Sequence, residues 1–330
     1  MNILVTGGAG MIGSNLVKRL VAEGHHVSVA DNLWRGKMRN LYHHASPVIN
    51  LNKQFFRLDL RDYHNCLYCT RGMDLVIHLA DIVAGINFVF ENQRFLYRAN
   101  ILINSNVLEA ALINKVKKYI YIGTACSYPA EKQSQIGAEP LTEADIYPAN
   151  PESAYGWSKL MGEYETELAS KESDVSVGIL RLHNVYGSPC EIQPERSQVI
   201  PSLCRKAFNY PNEKFVVWGS GTQRRAFLHV TDAIDAIVKT IENGLGMGAI
   251  QIGPGKSHSI KEVAELISKV SGKHLAAEFD ASRPEGDIDR VADYSKAKRL
   301  LNWKPTIPLE TGIKTTYEWI ASELEQREIG

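Results

Sequence analysis

The sequence predicts a doubly wound parallel α/β sheet joined to a smaller, interleaved α/β layer. Three observations carry that expectation. Short apolar runs rich in β-branched residues alternate with stretches of helical periodicity up to about residue 180. A glycine-rich turn follows the first apolar run directly. After Arg181 the alternation breaks, and Pro189, Pro194, Pro201 and Pro211 punctuate loops.

Taken in chain order, Asn2 to Thr6 is the first strand. The apolar residues Ile12, Leu16, Val17, Leu20 and Val21 then fall on one helix face, and Gly24 is placed to end that helix. His26 to Ala30 is a second strand, closed by Asp31 and Asn32. Phe55 to Leu58 is a third, closed by Asp59. Leu75 to Leu79 and Tyr119 to Ile122 are the fourth and fifth, with a long helical pattern between them from Arg94 to Ile113. Val175 to Leu180 is the sixth. Such βαβ units give parallel strands, and right-handed crossovers wind helices onto both faces. Further on, Asp232 to Asn243 and Ile260 to Ser271 read as helices, with Ser259 capping the second. Lys256 to Ser259 and Arg283 to Asp287 read as loops. There is no internal repeat and no low-complexity segment.

Composition narrows the function classes. The chain has 330 residues, 44% hydrophobic and 22% charged, enough for a large core without staples. Its 37 Lys and Arg balance 37 Asp and Glu, so no broad basic field is available to hold nucleic acid or an anionic membrane. An anionic ligand must be held by local donors. No apolar run reaches the ~18 residues of a membrane span. No signal-peptide pattern opens the chain, so a cytoplasmic location is expected. The five cysteines, Cys66, Cys69, Cys126, Cys190 and Cys204, are odd in number and thinly spread, which argues against a disulfide scaffold. Cys66 and Cys69 lack the second pair a structural zinc would want, so no metal is expected and both read as incidental thiols on a helix.

The turn after the first strand is TGGAGMIG, with Gly7, Gly10 and Gly13 in G-x-x-G-x-x-G spacing. Glycines let the backbone approach a pyrophosphate, and the helix that follows offers free N–H groups and a positive dipole end. Placed between a first strand and a helix, the loop predicts a Rossmann-type dinucleotide site. Asp31, at the end of the second strand, would accept the adenosine ribose hydroxyls and repel a 2′-phosphate, favouring NAD over NADP. Arg35 is read as a solvated loop arginine. Asp59 and Leu60 stand near the adenine, with Asp59 equally readable as a turn residue. The expected cofactor set is Gly7, Gly10, Met11, Ile12, Gly13, Asp31, Asn32, Asp59, Leu60, Leu79, Ala80, Tyr155 and Lys159.

Tyr155 and Lys159 form Y-x-x-x-K after the helix-start signals Asn150-Pro151-Glu152-Ser153. At i and i+4 they share a helix face. A nearby ammonium favours phenolate, so Tyr155 is expected to be an acid/base of lowered pKa, with Lys159 also binding the nicotinamide ribose. Thr124 opens TACSYP after the fifth strand, at the sheet's carboxyl end where ligands bind.

These residues together resemble the active set of the short-chain dehydrogenase/reductase superfamily, in its extended nucleotide-sugar branch. The resemblance spans essentially the whole chain: RLHNVYG from Arg181, VVWGSGTQRRAFLHVTD from Val216 and FDASRPEGD from Phe279 are all similar to segments of that branch. Within it, TACSYP followed by Gln133 is similar to the GDP-mannose 3,5-epimerase and GDP-fucose synthase families. The resemblance implies an NAD-dependent isomerase acting on a nucleoside diphosphate sugar, GDP-hexose favoured, and a homodimer formed through a helix bundle. It implies that residues 1–180 with roughly 208–240 bind NAD, and that 181–207 with 241–330 bind the nucleotide sugar.

The resemblance also implies roles. Cys126 stands where those families keep a base acting on a carbon beside a ketone. Their opposing acid, a lysine or a histidine, falls at Gln198 or Val199 here. An amide has no titratable proton near neutral pH, so inversion at one carbon rather than two is expected. Arg225, Arg283 and Arg290 resemble diphosphate and nucleotide contacts, suited by the bidentate guanidinium. Asn184, Gly85 and Lys206 resemble sugar and nucleotide contacts. The Asp-Glu pair of related 4,6-dehydratases is replaced by Ala125-Cys126, and the decarboxylase glutamate is missing, which disfavours both reactions. Simple 4-epimerisation, an epimerase/reductase activity and an idle NAD-binding regulator are the rival readings.

Overall fold

The computed structural model describes residues 1–328. A seven-stranded parallel sheet is built from β1 (Asn2–Thr6), β2 (His26–Ala30), β3 (Phe55–Phe56), β4 (Leu75–His78), β5 (Lys118–Thr124), β6 (Ser176–Leu182) and β7 (Ala249–Ile252). Their order is β7-β6-β5-β4-β1-β2-β3. Chain progression therefore reverses between β1 and β4, where Thr6 lies opposite His78. In such a sheet the crevice at that reversal is where ligands bind.

The strands form here because both sheet faces are covered, which demands continuous apolar runs. Ile3 and Val5 of β1 point to one face and meet Leu16, Val17 and Leu20 of α1 (Met11–Ala22). Leu4 points to the other and joins a core with Val76, Tyr119 and the α3 residues Leu96, Ile103 and Val107; α2 is Tyr63–Thr70 and α3 is Gln93–Ile113. Each such fully buried aliphatic side chain contributes ~1.5–3 kcal/mol. α1 ends where expected: Gly24 takes φ +83° and its N–H bonds to the Val21 carbonyl at 3.0 Å. α4 is Ala154–Glu172, started by the Ser153 hydroxyl accepting from the Gly156 N–H.

The smaller layer packs α5 (Val199–Asn209), α7 (Ile260–Ser271) and α8 (Leu309–Glu328) around Leu203, Phe215, Val263, Ile267, Ile313 and Ile320; α6 (Val230–Asn243) intervenes in the chain but belongs to the first core through Ile234 and Ile237. Ser259 caps α7 in a capping box with Glu262. Ala249–Ile252 is edge strand β7, pairing in parallel with Ile179–Leu182. Val216–Trp218 pairs with Glu278–Asp280 in the smaller layer.

Cys66 and Cys69 lie buried in α2, and burial pushes the Cys69 thiol up to about 12, as fits inert thiols. Among the described residues no helix is long and apolar enough to cross a membrane. Nor does any group of three or more His, Cys, Asp or Glu among them stand ready to hold a metal ion.

Candidate active site

The carboxyl ends of β1, β2, β4, β5 and β6 open into one cavity of about 700 Å³ that continues into the smaller layer. At its floor the chain ties β1 to β4. The Thr6 hydroxyl sits 2.9 Å from His78 Nδ1 and accepts from the Leu79 and Ala80 N–H groups, both at 3.1 Å. His78 Nε2 lies 3.1 Å from the Asn104 side-chain oxygen. Burial lowers the His78 pKa to about 3, so the imidazole is neutral, with Nε2 donating to Asn104 and Nδ1 accepting from Thr6.

Gly7, Gly10, Met11, Ile12 and Gly13 line the cavity, as do Asp31, Asn32, Asp59, Leu60, Leu79 and Ala80. The N-cap of α1 is Gly10, no side chain caps it, and no acid lies in its first turn, so that helix end is free to meet an anion. The Asp31 carboxylate is steered by the Ala9 and Leu33 N–H groups at 3.0 and 2.8 Å, and burial raises its pKa. This cradle fits a dinucleotide. Asp59 also makes a turn, accepting from the Arg61 N–H at 3.0 Å and pairing with its guanidinium. Arg35 departs from expectation. It lines the cavity, half-buried, and donates to the Val83 carbonyl at 3.1 Å instead of standing in solvent.

Thr124, Cys126, Tyr155 and Lys159 all line this cavity. The Thr124 hydroxyl accepts from the Cys126 N–H at 3.2 Å, which orders the short 3₁₀ turn Ala125–Ser127 and leaves its own proton for the cavity. Lys159 is 2% exposed, its ammonium 4.8 Å from the Tyr121 ring centroid; burial lowers its pKa and Asp81 opposes that. Tyr155 departs from expectation. Its pKa is raised, well above the ordinary phenol value, by burial first and then by the Asp81 carboxylate. Its hydroxyl donates to Asp81 Oδ2 at 3.0 Å, and the same carboxylate lies 3.7 Å from Lys159 Nζ. The lysine's pull toward phenolate is outweighed because desolvation and a like charge both disfavour the anion.

The Cys126 thiol, half-buried, is met by Arg290 Nη1 at 3.3 Å. The same guanidinium binds Gln133 and ion-pairs with Asp287, the Arg290 and Asp287 side chains being 5% and 3% exposed. Arg290 is thus held beside the thiol by protein partners. Arg225 is bonded to the carbonyls of Arg224, Asp287 and Glu285 and has no carboxylate partner among the described residues. Burial lowers its pKa to about 10, against the opposing charges of Glu152 and Asp289, so it is a buried cation facing the cavity with no direct ion pair among the described residues.

Asn184 also lines the cavity, and its side-chain oxygen is buried without a donor. Gln198 and Val199 line it at the start of α5, as does Lys206, which donates to the Val216 carbonyl. Gly85 is on the wall too, but a Cβ there would lie 2.8 Å from the Ser197 carbonyl oxygen, so protein packing already requires this glycine. Arg283 stands apart from the lining: it pairs with Asp280 and stacks 5.4 Å over Trp218, which does face the cavity.

Comparison with known proteins follows the geometry. Residues 3–253 match the NAD dependent epimerase/dehydratase family. The chain belongs to that family. It is an NAD-dependent enzyme of the epimerase/dehydratase class, and the loop, the uncapped helix and Asp31 are the parts of this chain that fit the cofactor. GDP-mannose 3,5-epimerase 1 of Oryza sativa subsp. japonica is 32% identical over 326 residues, covering 99% of this chain and 83% of the relative. Probable GDP-L-fucose synthase 1 of the same organism is 29% identical, covering 96% and 91%. Among solved structures, UDP-glucuronic acid 4-epimerase from Bacillus cereus, in complex with UDP-glucuronic acid and NAD, superposes with a TM-score of 0.85 at 28% identity over 98% of this chain and all of that one. UDP-glucose 4-epimerase from Thermotoga maritima, with UDP-glucose, gives 0.85 at 29% identity over the same shares.

Sequence reasoning missed Asp81. The signal was present: an acid three residues past the end of β4, at the point where strand order reverses.

Proposed function

We propose that the protein is a nucleotide-sugar epimerase that oxidises its sugar transiently at C4 and inverts an adjacent carbon with Cys126 as the base, acting on a GDP-hexose. The observation that carries this reading is the Cys126 thiol in one cavity with Thr124, Tyr155 and Lys159, its sulfur beside the Arg290 guanidinium. The similarity to GDP-mannose 3,5-epimerases supports the choice of nucleotide and reaction.

NAD, bound along the glycine loop, supplies the redox chemistry at C4. Thr124 donates its free hydroxyl proton to the C4 oxygen and aligns it on Tyr155. Tyr155 accepts the C4 hydroxyl proton and later returns it. The C4 ketone acidifies the hydrogens on C3 and C5, and the thiolate of Cys126 removes one of them. A thiolate is the reactive form, and the Arg290 guanidinium lies 3.3 Å from the sulfur. Gln198 lies at the start of α5 without a titratable proton, so reprotonation from the other side falls to water and one carbon is inverted. Arg225, a buried cation whose direct partners are backbone carbonyls, receives the diphosphate, with the Asn184 acceptor and Lys206 completing the sugar-nucleotide contacts. Arg283 acts through Trp218, by holding that ring at the cavity edge.

The reading also includes a homodimer. Phe95, Tyr97 and Leu102 on α3 and Tyr164 on α4 are exposed on two helices that pack together, the kind of apolar face that a second copy covers.

The test is a panel of nucleotide sugars turned over in D2O and read by NMR. Deuterium at C3 or C5 of a GDP-hexose, at one carbon only, is expected. Turnover with no deuterium at carbon would replace this reading by 4-epimerisation, the reaction named for the solved neighbours.

A further inference from the structure

One acidic group in the cavity is left unused by that mechanism. Asp81 follows β4, on the wall between the glycine loop and α4. Its side chain is 17% exposed. A carboxylate removed this far from water needs partners, and Asp81 has two that matter. Oδ2 accepts the Tyr155 hydroxyl at 3.0 Å and stands 3.7 Å from Lys159 Nζ. One oxygen therefore touches both members of the Y-x-x-x-K pair. Arg35, from the loop after β2, adds a third influence. Its guanidinium is anchored on the Val83 carbonyl, and the charges of Asp81, Glu191, Tyr155 and Cys190 oppose the lowering of its pKa by burial. From β5, the neutral Tyr121 hydroxyl donates to the Lys159 carbonyl and feels the Asp81 charge.

This arrangement changes what Tyr155 can do. A phenol that donates to a carboxylate does not become the resting phenolate, since the anion would face a like charge across one hydrogen bond. The phenol can still take a proton on its oxygen if its own proton leaves at the same time, and the atom poised to receive it is Asp81 Oδ2. Resting on the transient-oxidation reading above, we propose that Asp81 is the proton acceptor behind Tyr155. As the C4 hydroxyl gives its proton to the Tyr155 oxygen, the Tyr155 hydroxyl proton passes to Asp81.

The balance closes. The sugar O–H bond breaks and a new Tyr155 O–H bond forms; the old Tyr155 O–H bond breaks and an Asp81 O–H bond forms. The two electrons and the C4 hydrogen leave the sugar for the family's nicotinamide cofactor. On reduction each proton retraces its path, so Tyr155 stays neutral and Asp81 alternates between carboxylate and carboxylic acid. Lys159 Nζ stands 3.7 Å from the same Oδ2 that receives the proton. Asp81 acts through Tyr155 and touches no reacting carbon.

The experiment compares Asp81→Asn, Asp81→Glu and Tyr155→Phe with the parent enzyme across pH. Asn keeps the shape and can accept the Tyr155 hydrogen bond, but it cannot take a proton. Near neutral pH, Asp81→Asn is expected to slow turnover about 10²-fold, the usual scale for a lost acid/base group. That loss shrinks as pH climbs toward the phenol range, where Tyr155 works as phenolate. Asp81→Glu regains part of the neutral-pH rate. A loss in Asp81→Asn that is equal at every pH, or no loss, overturns the proposal. So does an Asp81→Glu enzyme as slow as Asp81→Asn.

A second measurement needs no turnover. In the cofactor-free protein, the tyrosinate absorbance attributable to Tyr155, taken as the difference from Tyr155→Phe, is expected to develop at lower pH once the Asp81 charge is gone. An unshifted titration overturns the proposal. Full activity of Tyr155→Phe would instead sink the C4-oxidation reading itself, whatever the Asp81 variants do.

Discussion

Arg181→Met tests how the Tyr155 helix and the TACSYP turn are held together. Arg181 rises from β6 into a pocket where its side chain is 3% exposed and that of Glu163, on α4, is 4% exposed. The guanidinium grips both Glu163 carboxylate oxygens, with Nη2 to Oε1 at 2.5 Å, and adds the Tyr128 hydroxyl at 3.2 Å and the Glu143 carbonyl at 2.9 Å. It thus joins α4, which carries Tyr155, to the TACSYP turn, which carries Cys126. Methionine fills the volume but strands the Glu163 carboxylate. Breaking one side of a buried pair costs ~3–5 kcal/mol. At ~2.1 cal/mol/K of unfolding entropy per residue, a chain of this length unfolds with ~0.7 kcal/mol/K, so the melting temperature falls by about 4–7 °C. Thermal unfolding by circular dichroism measures it. The double variant Arg181→Met with Glu163→Leu removes the stranded charge and is expected to regain most of the loss. A single-variant loss below about 1 kcal/mol, or a double variant no more stable than the single, refutes this account.

The remaining predictions concern chemistry and pH. Cys126→Ala abolishes carbon-bound deuterium incorporation while C4 oxidation of a bound sugar persists; normal deuterium exchange in that variant rules out the thiol as base. Cofactor extracted from the purified protein is mostly NAD, because the Asp31 carboxylate opposes a 2′-phosphate; recovery of mainly NADP would transfer the role to Arg35. Gly156→Ala drives a methyl group into the Cys126 carbonyl, forcing α4 and the TACSYP turn apart, so turnover falls about 10-fold or more while NAD binding holds, the misplacement of reacting groups being what costs rate; unchanged turnover would show that the contact relaxes freely. Stability is expected to fall on acidification below about pH 6.5. His78 and His183 are neutral in the fold, with pKa values lowered by burial to about 3 and about 4. The unfolded chain therefore takes up their protons first, and each costs up to ~1.4 kcal/mol per pH unit, between ~6.5 and its folded value. A urea midpoint that stays flat from pH 7 to about 4.5 would contradict this.

The first six strands were legible because a sheet covered on both faces leaves unbroken apolar runs, and the glycine loop because a pyrophosphate site needs bare backbone at fixed spacing. β7 was not legible. Its four residues include Gln251, a polar residue at 0% exposure whose side chain bonds His183 and the carbonyls of Leu141 and Asp293. Those partners come from three distant segments, so no local pattern announces the strand. The site divides the same way. Thr124, Tyr155 and Lys159 were singled out by local motif and Cys126 by resemblance, and all four line the one cavity. The sign of the Tyr155 perturbation was not found, because it is set outside the motif. Spacing along a helix says that an ammonium can lie near a phenol. It says nothing of how dry the phenol is, or of a carboxylate 74 positions away that reaches both groups. Desolvation and a like charge act together against phenolate, and one ammonium that is itself shared with Asp81 cannot offset both. The motif therefore names residues that line one cavity, while the carboxylate that meets two of them comes from a distant turn.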